Sequence, residues 1–293
     1  MRTTRMAAVF GAIALALTTT ACGGDEGGSE EGGSANTSFA AGSTMERLNK
    51  AQKLRVGTKF DQPGFGLKGL SGKPEGFDVE VAKLIAQALD IPADKIEYTE
   101  SPSTVREQVI QQDKVDIVVA TYTINDKRKA VIDFAGPYYI AGQSILVKTT
   151  DTAITGPDSF KDGTKKVCSV TNSTPATNIE KYLGDKAKQL VLFDIYQKCV
   201  DALKGGQVDA VTTDNVILSG FVATNEGQFK LAGQPFTEEP YGIGLKKGDN
   251  DFREFVNKTL ETSFTDGSYV KAWKDTAGKF DPADPKIPTI NRY

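Results

Sequence analysis

The stretch VDIVVATYTINDKRKAVIDF, residues 115–134, decides how the rest of the chain is read. Val115 to Ala120 are nearly all apolar and rich in β-branched side chains, the pattern of a buried strand. Within three residues the character changes to Thr121, Tyr122 and Thr123, then a short turn, then a helix whose first turn carries Lys127 and Arg128. Cations are disfavoured at a helix N-terminus, where the backbone dipole is already positive. A core strand that ends in hydroxyls and brings an arginine into that field reads as the receiving end for an anion.

Outward from this stretch, strands and helices alternate. LRVGTKF reads as a strand, and GFDVEVAKLIAQALD as an amphipathic helix with Phe77, Val81, Leu84, Ile85, Ala88 and Leu89 on one face. KIEYTES is a strand and STVREQVIQQ a helix. A second cycle runs through KKVCSVT, TPATNIEKYLG, QLVLF, YQKCVDALKGG and VDAVTTD. Such βαβ alternation predicts parallel sheets with helices on both faces. An internal repeat supports two similar halves: VIQQDKVDIVVAT (109–121) and CVDALKGGQVDAVTTD (199–214) share a helix, a polar turn, a Val-Asp pair and an apolar strand. Aligning the Val-Asp pairs puts Thr121 opposite Asp214, each at the C-terminal end of its strand, where open α/β sheets bind ligands. GFGLKG (64–69) matches a dinucleotide-binding glycine pattern, but LSGKPEG follows it, so no helix begins where a pyrophosphate would need one.

The chain has 293 residues, 39% hydrophobic and 25% charged, with a net charge of −3, and nothing in that balance points to nucleic acid. It contains no histidine, which excludes a Ser-His-Asp or Cys-His pair and any His-ligated metal. No metal and no cofactor are expected. The N-terminus has a basic MRTTR, an apolar MAAVFGAIALAL too short to span a bilayer, and TTTAC ending at Cys22. This resembles a bacterial lipoprotein signal: residues 1–21 as signal peptide, Cys22 as the lipidated residue, and 22–44 as anchor and flexible Gly/Ser-rich linker. Outside the membrane Cys168 and Cys199 are expected to pair, two buried free thiols being the alternative.

At GFDVEVAKLIAQAL (76–89) the chain resembles the family 3 bacterial extracellular solute-binding proteins, with ATYTINDKRK, IDFAGPYY, QVDAVTTD and EEPYGIGLKKGD as supporting motifs from about Leu48 to Phe280. DQPGFG after VGTK is similar to the glutamate-type receptors of actinobacterial uptake systems. The resemblance implies an α/β, type II periplasmic-binding-protein-like fold: two α/β lobes with mostly parallel sheets, joined by two hinge strands near 141–147 and 238–244. Lobe 1 would be 45–143 plus 242–293, and lobe 2 would be 144–241. It implies a non-catalytic, monomeric receptor outside the cytoplasmic membrane that hands an acidic amino acid, glutamate ahead of aspartate, to an ABC permease. Open alternatives are a sensor lipoprotein, specificity for glutamine or asparagine, and a dehydratase on the same fold.

The resemblance also assigns residues. Arg128 would grip the ligand α-carboxylate with a bidentate guanidinium, helped by Thr121 and Thr123, and Thr123 with Asp126 also fits a capping box. Asp214 would take the α-ammonium. Ser173 and Thr174 precede Pro175 at a strand-to-helix turn and would donate to an anion or simply cap the helix. Lys59, and Arg106 with Ser103 three before it, would hold a distal carboxylate. Gln62 stands where the family usually has an aromatic, which favours a polar side-chain contact.

Overall fold

The computed structural model describes residues 38–293. The expected signal segment, Cys22 and most of the Gly/Ser stretch lie outside the described residues. Two five-stranded sheets share one topology. The first has the order Ile96–Glu100, Leu54–Thr58, Ile117–Val118, Glu239–Leu245, Asp133–Ala141; the second has Leu190–Phe193, Val167–Val170, Ala210–Asp214, Gln143–Lys148, Phe229–Ala232. In each, the first three strands are parallel, as the βαβ pattern predicts. The fourth runs antiparallel to both its neighbours, because it is the strand that arrives from the other half. The sheets are therefore mixed, with a parallel trio completed by an exchanged strand. Among the described residues no helix is long and apolar enough to cross a membrane.

The Val-Asp repeat has a structural cause. Asp116 accepts from the Arg55 backbone N–H at 2.9 Å, and Asp209 from the Lys166 N–H at 2.7 Å. In both halves the aspartate entering the third strand of the sheet order holds the beginning of the second. Ile117–Val118 and Ala210–Asp214 occupy the same third position in their sheets, so Thr121 and Asp214 leave equivalent strand ends, as the alignment expects.

The helix Phe77–Ala88 buries Phe77, Val81, Ala82, Ile85 and Ala86 against the first sheet. It can begin only at a glycine: Gly76 has φ 135°, and a Cβ there would lie 2.3 Å from the Phe65 carbonyl. Around it packs an aromatic core in which Trp273 stacks on Tyr139 at 5.0 Å and meets Phe77 edge-on at 5.2 Å. The second sheet has its own core of Leu146, Val170, Phe221 and Phe229. Two segments join the sheets. Gly142 links Asp133–Ala141 to Gln143–Lys148, and its Cβ would sit 2.7 Å from the Pro235 ring of the returning segment, so the two crossings lie side by side. Gln143 N–H donates to Thr237 Oγ1 at 3.0 Å, tying them together. The return strand pairs with the first sheet from Glu239, opposite Ala141.

The linker reading needs one correction. It ran to residue 44, yet Phe39 packs edge-on against Phe255 at 5.7 Å, and Ser43 caps the helix Thr44–Ala51. An aromatic side chain in a Gly/Ser stretch buries itself where a core edge is within reach, so the ordered domain begins before residue 44.

Cys168 and Cys199 form a disulfide between the strand Val167–Val170 and the helix Tyr196–Lys204, 31 residues apart. A loop of that length confers about 3–4 kcal/mol in the chain-entropy treatment. Replacing both cysteines by alanine should lower the urea-unfolding free energy by that amount, and addition of a reductant should then change nothing further.

Candidate functional site

The C-terminal strand ends of the two sheets face each other across a narrow crevice whose cavity volume is only about 10 Å³. Lys59, Gln62, Ser103, Arg106, Thr121 and Thr123 line it from the first lobe, and Ser173, Thr174 and Asp214 from the second, with Tyr196 added by the structure. Arg128 is the exception: it lines a larger neighbouring cavity together with Glu107 and Asn172.

Thr121 anchors the first rim. Its φ is 44°, a left-handed conformation uncommon for a β-branched residue. The turn is held by Asp78, whose Oδ2 accepts from the Thr121 N–H at 2.8 Å while its Oδ1 accepts from the Tyr138 hydroxyl at 2.5 Å. The Thr121 hydroxyl lies 3.0 Å from Gln62 Oε1. Burial pushes the Asp78 carboxyl up to about 7, against the pull of the Tyr138 and Thr121 hydrogen bonds.

Three cations collect beside this rim. Lys59 Nζ donates to Ser103 Oγ at 3.1 Å, and burial, reinforced by Arg106 and Arg128, pulls its pKa down to about 7. Arg106 donates from Nη1 to the Ala120 carbonyl at 2.8 Å. Arg128 donates from Nη1 to the Thr123 carbonyl at 2.7 Å and to Thr174 Oγ1 at 3.3 Å, and from Nη2 to the Asn172 carbonyl at 3.2 Å. It thus reaches from one lobe to the other. Burial and then Arg106 bring its pKa down to about 10.

Asp214 faces them. The Tyr241 hydroxyl donates to its Oδ2 at 2.5 Å, and burial with the nearby Glu239 carboxylate pushes it up to about 7. Its Oδ1, together with Gln62 Nε2 and Arg106 Nε, has no hydrogen-bond partner among the described residues. Buried polar atoms ordinarily find partners. Two donors on one side and an acceptor on the other make a polar template for a molecule carrying both charges.

Three local readings differ from the structure. The helix after Thr123 is a single turn, Asp126–Lys129, so the dipole argument for Arg128 loses its force, and burial is what marks the residue. The Thr123–Asp126 capping box does not form. Asn125 is the N-cap, accepting from the Arg128 N–H at 2.9 Å, while Thr123 bridges to Tyr241 on the return strand. The Ser173 hydroxyl accepts from the Ala176 N–H at 3.0 Å, which is the capping reading. Sequence reasoning missed Asp78, hidden as an ordinary first-turn acid, and the part that Asp61 plays across the crevice. The helix Tyr196–Lys204 has Ile195 at its N-cap and no side-chain cap of its own. Asp61 Oδ2, from the opposite lobe, accepts from its Tyr196 N–H at 2.7 Å.

Two α/β lobes of one topology, exchanging a strand each and facing across a buried polar crevice, constitute the type II periplasmic-binding-protein fold. The chain belongs to the bacterial extracellular solute-binding proteins, family 3, matched over residues 54–275. It is 38% identical over 288 residues to the glutamate-binding protein GluB of Corynebacterium glutamicum, covering 94% of this chain and 91% of that one. It is also 38% identical over 242 residues to the ABC transporter glutamine-binding protein GlnH of Bacillus subtilis, covering 82% and 86%. Among solved structures, an ancestral arginine-binding protein bound to glutamine matches with a TM-score of 0.71 at 36% identity, over 77% of this chain and 97% of the other. The ancestral amino-acid-binding protein AncCDT-1, a precursor of cyclohexadienyl dehydratase, matches with a TM-score of 0.72 at 28% identity, over 80% and 99%.

The raised carboxyls have a measurable consequence. Asp78 and Asp214 lose their protons near pH 7 in the folded state but near the ordinary 3.8 when unfolded. Between those values the folded state holds the extra protons, so their contribution to stability falls as pH rises. Asp214→Asn removes one of the two groups. Thermal melts of the free protein from pH 4 to pH 7 should show the variant gaining on the wild type throughout; an offset that stays constant with pH would refute the assignment.

Proposed function

We propose that this protein is the substrate-binding component of an ABC importer and captures an acidic amino acid, glutamate ahead of aspartate, outside the cytoplasmic membrane. The observation that carries this reading is the charge of the crevice. A zwitterion needs one cation and one anion, which Arg128 and Asp214 provide; Lys59 and Arg106, 3% exposed each, stand beside them. Enclosing two further cations is costly unless a second negative charge arrives with the ligand. The likeness to GluB over nearly the whole chain supports glutamate. Glutamine, which the GlnH likeness raises, brings a neutral amide and leaves Lys59 and Arg106 with only the partial compensation of Asp78 and Asp61.

In this reading Arg128, with Thr121, Thr123 and Thr174, takes the α-carboxylate. Asp214 takes the ammonium through its free Oδ1, and Lys59, Arg106, Ser103 and Gln62 take the distal carboxylate. Ser173 holds the helix behind them. The chain changes sheet at Gly142 and just before Glu239, so the expected lobe bounds move by a few residues: the segment up to Ala141 and that from Glu239 form one lobe and Gln143 to Glu238 the other. Closure is a population shift in which the ligand bridges both rims. Charge-assisted hydrogen bonds strengthen once water is excluded. No step of covalent chemistry is assigned. The receptor acts as a monomer held to the membrane through Cys22 and delivers its ligand to a permease.

Calorimetry against a panel of free amino acids tests this directly. Arg128→Ala should abolish binding of every amino acid. Arg106→Ala should weaken glutamate roughly 10–100-fold, the scale of a lost charge-assisted hydrogen bond, and glutamine far less. Equal losses for the two ligands would remove the distal-carboxylate role, and preference for a basic or aromatic amino acid would remove the specificity claim altogether.

A further inference from the structure

We infer that Tyr122 is a positioning residue: its ring is the common platform that fixes the spacing of the Arg106 and Arg128 guanidiniums and thereby the length of dicarboxylate the crevice accepts. This rests on the acidic-ligand reading above for its ligand, though not for its geometry. The Arg106 guanidinium carbon lies 4.1 Å from the centre of the ring and that of Arg128 lies 5.0 Å from it. Both distances fall within the range where the electron-rich face of an aromatic attracts a cation. Two like charges gathered in one buried place repel each other, and among the described residues no other side chain has a hydrogen bond, ion pair or ring contact with both. Among the described residues the single carboxylate paired with either guanidinium is Glu107, 3.3 Å from Arg128 Nε and partly exposed.

The ring itself cannot drift. It is fully buried, and Phe134 meets it edge-on at 4.8 Å. A Cβ on Gly244 of the return strand would come within 2.9 Å of a ring carbon, so the glycine makes the space the ring fills. The Tyr122 carbonyl accepts from the Gly242 N–H at 2.9 Å, securing the backbone to the same strand. The ring is thus clamped by the first sheet while each guanidinium lies against it. Guanidiniums are planar and rigid, so a fixed surface sets their orientation as well as their position. Two forks referenced to one immobile ring have one separation, and a ligand whose two carboxylates match it is favoured over one a methylene shorter. The Tyr122 hydroxyl makes no hydrogen bond of normal geometry among the described residues, although the Glu107 carboxylate lies close enough to act on it, so Tyr122→Phe separates the ring from the oxygen.

The test compares Tyr122→Phe, which keeps the ring, with Tyr122→Leu, which removes it, in the full chain. Calorimetry should give Tyr122→Phe wild-type affinities for glutamate and aspartate, within about twofold. Tyr122→Leu should weaken glutamate roughly 10-fold, the scale of the lost cation–π contacts, and aspartate much less, so that the ratio between them collapses. A loss of general packing would weaken both ligands in parallel, and that outcome, or an equal loss in Tyr122→Phe, overturns the proposal. Nuclear magnetic resonance of the free protein gives a readout independent of ligand and of the leucine variant's folding. The Arg106 and Arg128 Nε–H protons should be shifted upfield by the ring in wild type and Tyr122→Phe; unshifted resonances in wild type sink the platform. If wild type binds no acidic amino acid, the receptor reading fails by calorimetry while the resonance shifts alone judge the geometry.

Discussion

The Asp78 carboxylate joins three pieces of chain that are far apart in sequence. It belongs to the first turn of the helix Phe77–Ala88, one oxygen accepts from the backbone of Thr121, and the other accepts from the Tyr138 hydroxyl on the strand that leads to the crossing. Thr121 sits at φ 44°, a conformation that a β-branched residue adopts only when its surroundings impose it. Once that turn is imposed, the rest of the rim follows by connectivity. Tyr122 is directed into the core beneath the arginines, the Thr123 carbonyl faces Arg128, and the Ala120 carbonyl faces Arg106. A carboxylate buried this deeply is costly, and its pKa near 7 expresses that cost. It persists because both oxygens are engaged and because Lys59 and Arg106 lie close enough to favour its charge.

The crevice is therefore a set of opposed charges, each held away from its preferred state by burial. Lys59 is pulled down to about 7, and Asp78 and Asp214 are pushed up to about 7. In every case desolvation is the largest cause, and like-charged neighbours add to it at Lys59 and Asp214, so the opposed groups do not fully compensate one another. A ligand bearing two carboxylates and one ammonium changes that balance in the direction each group needs: negative charge beside Lys59 and Arg106, positive charge beside Asp214. The same field disfavours a ligand with a cationic side chain, because it would meet Lys59 and Arg106 at the inner end. Selectivity in such a site comes as much from what is left unpaired by the wrong ligand as from what is gained with the right one.

The architecture was legible in the sequence because it is periodic. Alternating strands and helices, and the Val-Asp pair repeated before each third strand, follow from local hydrophobic spacing, and they place Thr121 and Asp214 on facing rims without reference to any distant contact. What remained hidden depends on contacts between residues far apart in the chain. Asp78 reads as a carboxylate complementing a helix dipole, and nothing local reveals that its partners are 43 and 60 residues away. Asp61 caps a helix that begins 135 residues later. The choice of Asn125 over Thr123 as N-cap was a matter of two residues, below the resolution of a capping pattern. Thr123 was unavailable because the return strand draws it into a bridge with Tyr241.

Asp61 also bears on how the two lobes meet. A helix that starts at isoleucine exposes N–H groups that its own sequence cannot satisfy, and an anion at that end is favoured by the dipole as well. That anion comes from the first lobe, and beside it the Pro63 carbonyl lies where a Cβ on Gly220 would come within 2.5 Å. Both contacts cross the crevice, and Asp61 also lies near enough to Lys59 to favour its charge. With the lobes apart, water would solvate Asp61 and the helix end, so each such contact contributes only its net difference, about 1 kcal/mol for a hydrogen bond and somewhat more for a charged one. Contacts of that size bring the closed form within reach without locking it. In the proposed receptor, the decision would then be left to whatever neutralises Lys59, Arg106, Arg128 and Asp214 together, which would make the hinge sensitive to ligand charge and not only to ligand shape.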